Sequence, residues 1–242
     1  MGIISFLQNI RLPMRRMAFQ EAEQRIAEKA YTWKPDPRAE VHWAVHARMK
    51  HPPGLLVTRL LAEFDLEGVQ IGSAIDLGCG SGIHTLDLLS RRWDVTAIDS
   101  NKTALAILEK RVQDLRRACY QSDRPLQMGK LTPIQSPMEN CIFPSDVDLV
   151  IAMHSLSYCN PAKMLTVWNR AHEALRPGGR IVASFARAPL LPLSSPGVSA
   201  WHTEPAIVDA LLREKGYKVE FFSDGGRLLL STGNLMVIAK KV

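Results

Sequence analysis

Residues 73–86 read SAIDLGCGSGIHTL. An apolar run ends at glycines 78, 80 and 82, and GIHTLDLLSRR follows, with Ile83, Leu86 and Leu89 at three-residue steps. The first pattern is that of a short buried strand, the last that of an amphipathic helix. A glycine loop therefore closes a strand and opens a helix. Glycine reaches backbone angles closed to other residues and has no side chain to hold a ligand away. A loop of this kind lets a nucleotide-like cofactor lie against backbone amides.

The glycine spacing narrows the choice. The dinucleotide fingerprint G-x-G-x-x-G needs a third glycine at position 83, where Ile83 stands; the chain has D-x-G-x-G-x-G from Asp76 to Gly82. This argues against a nicotinamide-dependent oxidoreductase. No GK[ST] follows, so a phosphate-binding P-loop is absent as well. The next apolar run, DVTAID, ends in Asp99, 21 residues after Gly78. A carboxylate there can accept two hydrogen bonds from a ribose diol. Alternatively it caps the helix that begins in NKTALAIL.

Around this stretch, strands and helices alternate. LLVTRLLAEFDL reads as a helix ahead of the glycine strand. NKTALAILEKRVQDLRRA is a helix with Leu105, Leu108, Val112, Leu115 and Cys119 on one face. PLQMGKLTP is a third strand and DLVIAM a fourth. Asn160 and Pro161 suit the N-cap and first position of a helix that runs to Leu175, where PGG breaks it. RIVASF is a fifth strand, and Thr203–Lys215 a helix with Gly216 just past its end. KVEFFS and NLMVIAKK close the chain as an antiparallel pair around a Gly-rich turn. This order predicts an α/β, Rossmann-like, doubly wound and mostly parallel sheet, with ligands at the strands' carboxyl ends.

The 242 residues suit one domain with an extension, here 1–53 and 54–242. Residues 1–50 hold nine Lys/Arg against five Asp/Glu, and the other 192 hold 21 against 19. A nearly balanced main body gives little support for nucleic-acid binding. The four cysteines (79, 119, 141, 159) form no C-x-x-C pair, which suits free thiols in a reducing compartment, and a cytoplasmic location is expected. No apolar run reaches eighteen residues.

The front end is basic and in part apolar. Residues 1–20 carry Arg11, Arg15 and Arg16 with no acid, and Ile3, Ile4, Leu7 and Ile10 could share a helical face. The segment suits a helix packed on the domain, a peripheral membrane contact or an organelle-targeting peptide. In EVHWAVHARMKH, His42 and His46 share a helix face. No third ligand is evident, so pocket lining or a solvated face is expected rather than metal. KPDPR and HPPG mark turns on either side.

Taken together, AIDLGCGSG, VTAID, DLVIAMHSLSY and ALRPGGRIVAS resemble the successive motifs of class I S-adenosylmethionine-dependent methyltransferases, across residues 54–242 in the same order. The likeness is greatest to the branch that modifies small molecules. It implies a seven-stranded sheet with the last strand antiparallel, S-adenosylmethionine as cofactor and a small-molecule acceptor. Gly78, Cys79, Gly80 and Gly82 would pass beneath the methionine part of the cofactor. Asp76 would organise that loop or reach the cofactor's amino group. Asp99 would hold the ribose hydroxyls, and Ser100 would flank the adenine. Met138 and Glu139 in SPMENCIFP would cover the adenine edge; an Asp that the family often carries is replaced by Pro137. Met153 and His154 would face the cofactor and the methyl group. The [DNS]PP[YFW] tetrad of nucleic-acid amino methyltransferases is replaced here by MHSL.

Methyl transfer from a sulfonium needs chiefly alignment and desolvation. A base matters for a hydroxyl or a protonated amine, and the candidates are His154, Tyr158 and His202. His202 lies in ARAPLLPLSSPGVSAWHTE, a segment long enough to be a binding loop or lid. The N-terminal helices, with Trp33 and Trp43, would help roof the site. A catalytically silent protein that keeps the same cofactor pocket is the competing reading.

Overall fold

The computed structural model describes residues 16–34, 39–49, 54–121, 127–187, 200–223 and 234–242. Three helices come first: α1 (Phe19–Thr32), α2 (Ala39–His46) and α3 (Leu55–Leu66). Then follow β1 (Ser73–Leu77), α4 (Ile83–Ser90), β2 (Asp94–Asp99), α5 (Lys102–Tyr120), β3 (Leu131–Gln135) and β4 (Val147–Ala152). The chain ends with α6 (Pro161–Ala174), β5 (Leu175–Phe185), α7 (Pro205–Glu214), β6 (Lys218–Ser223) and β7 (Leu235–Lys240).

The seven strands form one sheet in the order β3-β2-β1-β4-β5-β7-β6. β7 is antiparallel to both β5 and β6, and the other neighbouring pairs are parallel. The expected closing antiparallel pair is therefore present. The strand order reverses between β1 and β4, which leaves a crevice at their carboxyl ends.

Side chains alternate across the sheet with a period of two. Ile75 and Leu77 of β1 join Val150 of β4 in a core with Met164, Val167 and Trp168 of α6 and Val208 and Leu211 of α7. Ala74, Leu149 and Ile151 face the other way, into a core with Leu60 and Phe64 of α3, Leu88 of α4 and Leu108 of α5. Ala22 and Ile26 put α1 into the first core, beside α6 and α7. Both faces of the sheet are thus covered, as parallel strands require.

Local signals explain the helix ends. The Asn160 side chain accepts from Ala162 N–H at 3.0 Å with Pro161 at the first turn of α6. Gly216 takes φ +66° just past α7. The third strand falls later than PLQMGKLTP predicts, at Leu131–Gln135. It is an edge strand of half-buried and exposed residues with Pro133 inside it, and a proline is tolerated there because an edge leaves one side unpaired.

Among the described residues, no helix is long and apolar enough to cross a membrane. Most of the 1–20 segment, the turns KPDPR and HPPG, most of the 186–204 segment and the Gly-rich turn before β7 lie outside the described residues.

Candidate active site

The glycine loop sits where β1 ends, between the loops that follow β2 and β4. Gly78, Gly80 and Gly82 all have positive φ, at +70°, +54° and +83°. Two of them are also packed close. A Cβ on Gly78 would collide with Ser155 Cβ, and one on Gly82 with the Leu108 side chain of α5. Gly80 differs: a Cβ there would meet nothing within 4 Å. The loop is hydrogen-bonded to β2 through Gly78 N–H and Cys79 N–H, both donating to Ile98 O, at 2.8 and 3.0 Å. Cys79 is buried, and desolvation raises its thiol pKa well above the ordinary range.

Asp99 ties the second strand to this loop. Its Oδ2 accepts from Gly80 N–H and its Oδ1 from Asn101 N–H, each at 2.8 Å. The N-cap of α5 is Asn101, whose side chain accepts from Ala104 N–H at 2.8 Å. The capping role that Asp99 could have filled is therefore taken. Each carboxylate oxygen keeps a further acceptor position, the chemistry that a diol needs. Desolvation first, and the Glu40 carboxylate among the lesser causes, raise the Asp99 pKa. Ser100, next to it, is exposed.

Asp76 lies beneath the loop rather than on it. It is buried, and its Oδ2 accepts from Thr85 Oγ1 at 2.7 Å, which fastens the end of β1 to α4. Desolvation and the nearby Asp99 charge push its pKa up to about 6, against the Thr85 hydrogen bond that lowers it. The bond from Thr85 serves the first of the two roles weighed for Asp76, organising the loop.

The β4 loop forms the other wall. Met153 is half-buried against the second core. His154 has φ +56°, unusual for a residue with a side chain and a conformation that clusters at functional sites. Its N–H donates to Ser184 Oγ of β5 at 2.7 Å, and its Nδ1 lies 3.0 Å from Asn234 Nδ2. The ring is accessible to solvent, yet desolvation by surrounding protein, then His84 and His46, lowers its pKa. His84, in the first turn of α4, is more deeply set; desolvation takes its pKa down to about 4, and its buried Nδ1 has no hydrogen-bond partner. Three imidazoles thus converge on the glycine loop, of which sequence reasoning singled out His154 and weighed His46 as pocket lining.

Tyr158 ends a short helical turn (Leu156–Tyr158) and meets the Trp43 ring edge to face at 4.8 Å. Burial raises its pKa. Asn101 Nδ2 donates to Glu40 O at 2.9 Å. α2 is therefore fixed at one point to the loop after β2 and at another to the loop after β4. Because β1 lies between these strands, α2 spans the glycine loop as a roof. Trp33, by contrast, is half-buried against the core on the α1 side.

His202 is exposed, and its charged neighbour is Lys29 of α1; desolvation and that lysine lower its pKa. The structure does not bring it into the histidine group around His154. Met138 is half-buried against the first core in a short turn after β3, and Glu139 O accepts from Arg170 at 2.8 Å. That turn follows β3, which borders β2, so it lies on the Asp99 side of the crevice. Among the described residues, no group of three or more His, Cys, Asp or Glu could hold a metal ion.

The site fits S-adenosylmethionine: open space over Gly80, a glycine loop at the end of β1 and an acceptor carboxylate at the end of β2. Comparison with known proteins agrees. Residues 74–179 match the family described as "Methyltransferase domain". The mitochondrial ubiquinone biosynthesis O-methyltransferase of Schizosaccharomyces pombe is 26% identical over 117 residues, which is 48% of this chain and 39% of that relative. The N-methyltransferase NodS of Bradyrhizobium japonicum, solved with S-adenosylhomocysteine, aligns at TM-score 0.58 and 16% identity over 91% of this chain and 98% of its own. Magnesium protoporphyrin IX methyltransferase of Synechocystis, solved with S-adenosylmethionine, aligns at 0.55 and 14% over 93% of each. Residues 74–179 thus match a methyltransferase-domain family, and the seven-stranded sheet described above is the fold shared with these S-adenosylmethionine-dependent methyltransferase structures.

Proposed function

We propose that the protein transfers the methyl group of S-adenosylmethionine to an O, N or C nucleophile of a small molecule by in-line displacement. The observation that carries this reading is the link between Asp99 and Gly80, which sets an acceptor carboxylate beside an open glycine at the switch point of the sheet. When bound, the cofactor supplies an activated methyl group on a cationic sulfur.

The chain's own residues bind, orient and exclude water. Asp99 would accept from the ribose hydroxyls, and the amides of residues 78–82 would lie against the methionine part. Ser100, with the turn at Met138 and Glu139, would border the adenine. α2 would close the crevice from above, with Trp43 and Tyr158 as an apolar wall. A roofed aromatic wall suits a small, partly apolar acceptor. Alignment of the nucleophile with the methyl carbon, away from water, accounts for much of the rate enhancement such a site can supply. His154, at the end of β4 beside the glycine loop, would contact the acceptor. His202 lies beside Lys29 of α1, away from that group, and the Tyr158 ring packs on Trp43. Residues 1–53 are read as an extension of the domain at 54–242, acting in the cytoplasm, with a peripheral membrane contact through residues 1–20 as a further role for that end.

The test uses S-adenosylmethionine labelled in the methyl group, incubated with the full chain and a fractionated pool of low-mass metabolites. Label should move to a low-mass product, and Asp99→Ala should reduce the transfer. Label that remains wholly in the cofactor across all pools would contradict the reading.

A further inference from the structure

β7 is the strand of the sheet that runs against the others, and its direction has a chemical consequence. The parallel strands bring their last residues to the crevice; β7 brings its first. Phe185, at the end of β5, pairs with Leu235, at the start of β7. Asn234 therefore stands at the crevice, with His154 two residues past the end of β4 on the far side of β5. Its Nδ2 lies 3.0 Å from His154 Nδ1. The backbone N–H of His154 is meanwhile held by Ser184 Oγ, also from the end of β5. Two neighbouring strands thus grip this residue, one by its backbone and one by its ring, and hold it in a left-handed conformation that a residue with a side chain rarely adopts.

An amide NH2 can donate but not accept. With the NH2 turned toward it, Nδ1 of His154 accepts and carries no proton. A neutral imidazole has one N–H, which then sits on Nε2. The surroundings favour neutrality, since the protein packed around the ring desolvates it. Building on the methyl-transfer reading, we propose that Asn234 is a positioning residue that holds His154 in its Nε2–H form, so that His154 offers the acceptor a hydrogen bond instead of removing a proton from it. The acceptor class follows. It presents an oxygen that accepts a hydrogen bond and a nucleophilic atom that reacts without a base: a carboxylate, an enolate, or a phenol acidic enough to arrive ionised. For an anionic oxygen, the O–CH3 bond forms as the S–CH3 bond breaks, the pair of electrons stays with sulfur, and anion and sulfonium become a neutral methyl ester or ether and a neutral thioether. No proton changes hands.

Nitrogen-15 NMR of the histidine side chains tests this without an acceptor. The full chain is labelled, saturated with S-adenosylhomocysteine at neutral pH, and His154 is assigned through His154→Gln. The expected spectrum places the proton of His154 on Nε2. Asn234→Asp, which exchanges a donor for an acceptor, should move the proton to Nδ1 or make the ring doubly protonated. A proton on Nδ1 in the wild type, which would free Nε2 as a base, overturns the proposal whatever the variant does. So does a wild-type signature that persists in a folded Asn234→Asp. Failure of the wild type to bind S-adenosylhomocysteine would instead strike the methyl-transfer reading, and the two failures are told apart in one sample.

Discussion

Two alanine substitutions two residues apart, Gly78→Ala and Gly80→Ala, should differ in what they disturb. Both positions have positive φ, so each substitution places an L side chain in the left-handed region at a cost of about 1–2 kcal/mol. At Gly78 the added Cβ also collides with Ser155 Cβ, an atom of a buried residue held close against the loop. Overpacking of this kind adds roughly 1–3 kcal/mol, so Gly78→Ala should cost about 2–5 kcal/mol in all. At Gly80 the same atom meets nothing within 4 Å, so the backbone term stands alone. For a chain of this size each kcal/mol lowers Tm by roughly 2–4 °C. Thermal unfolding without ligand should therefore show a fall of several degrees more for Gly78→Ala than for Gly80→Ala. Ligand binding should rank the two in reverse relative to stability. The Gly80 Cβ enters the space over the loop, and a tenfold loss of affinity for S-adenosylhomocysteine corresponds to about 1.4 kcal/mol of lost contact, a modest demand for one intruding methyl group. Adding Ser155→Gly should rescue the stability of Gly78→Ala and leave Gly80→Ala unchanged, which a double-mutant cycle measures directly. Equal melting temperatures for the two alanine variants would refute the packing argument. Unchanged affinity in Gly80→Ala would refute the claim that the cofactor lies over this residue.

Asp76, with its pKa pushed up to about 6 by desolvation, holds its proton in the folded state at pH values where the unfolded chain has released it. Its ionisation therefore costs stability as pH rises from about 4 through 6, reaching about 3 kcal/mol above that window, and Asp76→Asn should melt higher than wild type at pH 8 and alike at pH 3. Arg180 of β5 is buried between Glu67 and Glu220 and lies 5.0 Å from the Phe64 ring centroid. Arg180→Ala strands the half-buried Glu220 carboxylate, and denaturant unfolding should register a loss of about 3 kcal/mol, with S-adenosylhomocysteine affinity unchanged in the protein that remains folded. Trp43→Ala removes the contact of α2 with Tyr158, and hydrogen exchange should then report faster opening of residues 39–46 with Tm lowered by only a few degrees.

The parts of the fold that were legible in the sequence are those where one local signal suffices. Glycines at 78, 80 and 82 after an apolar run mark the end of β1, and Asn160–Pro161 marks the start of α6. β3 was displaced because an edge strand buries little, so its hydrophobic pattern is weak and Pro133 breaks it further. α1 went unread as a helix of its own because FQEAEQRIAEKAYT is mostly charged and polar, and only Ala22 and Ile26 reach the core. The site divides in the same way. Asp76, the glycines and Asp99 fall within one strand–loop–helix–strand unit, so their spacing carries the message. His84 gave no signal, since its burial depends on Gly54 and on neighbours from other elements. Asn234 gave none either: it meets His154 across 80 residues of chain, a pairing that no local pattern encodes. The sequence does not show that Asp76 accepts from Thr85, because that bond joins two elements.

The central claim is that the loop at Gly78–Gly82 and the carboxylate of Asp99 hold S-adenosylmethionine. Titration calorimetry of S-adenosylhomocysteine into the wild type and Asp99→Ala tests it most directly, with NADH as the control ligand. The account predicts binding of the sulfur ligand that is at least tenfold weaker in Asp99→Ala, and no binding of NADH. Equal binding to both proteins, or heat from NADH alone, would contradict it.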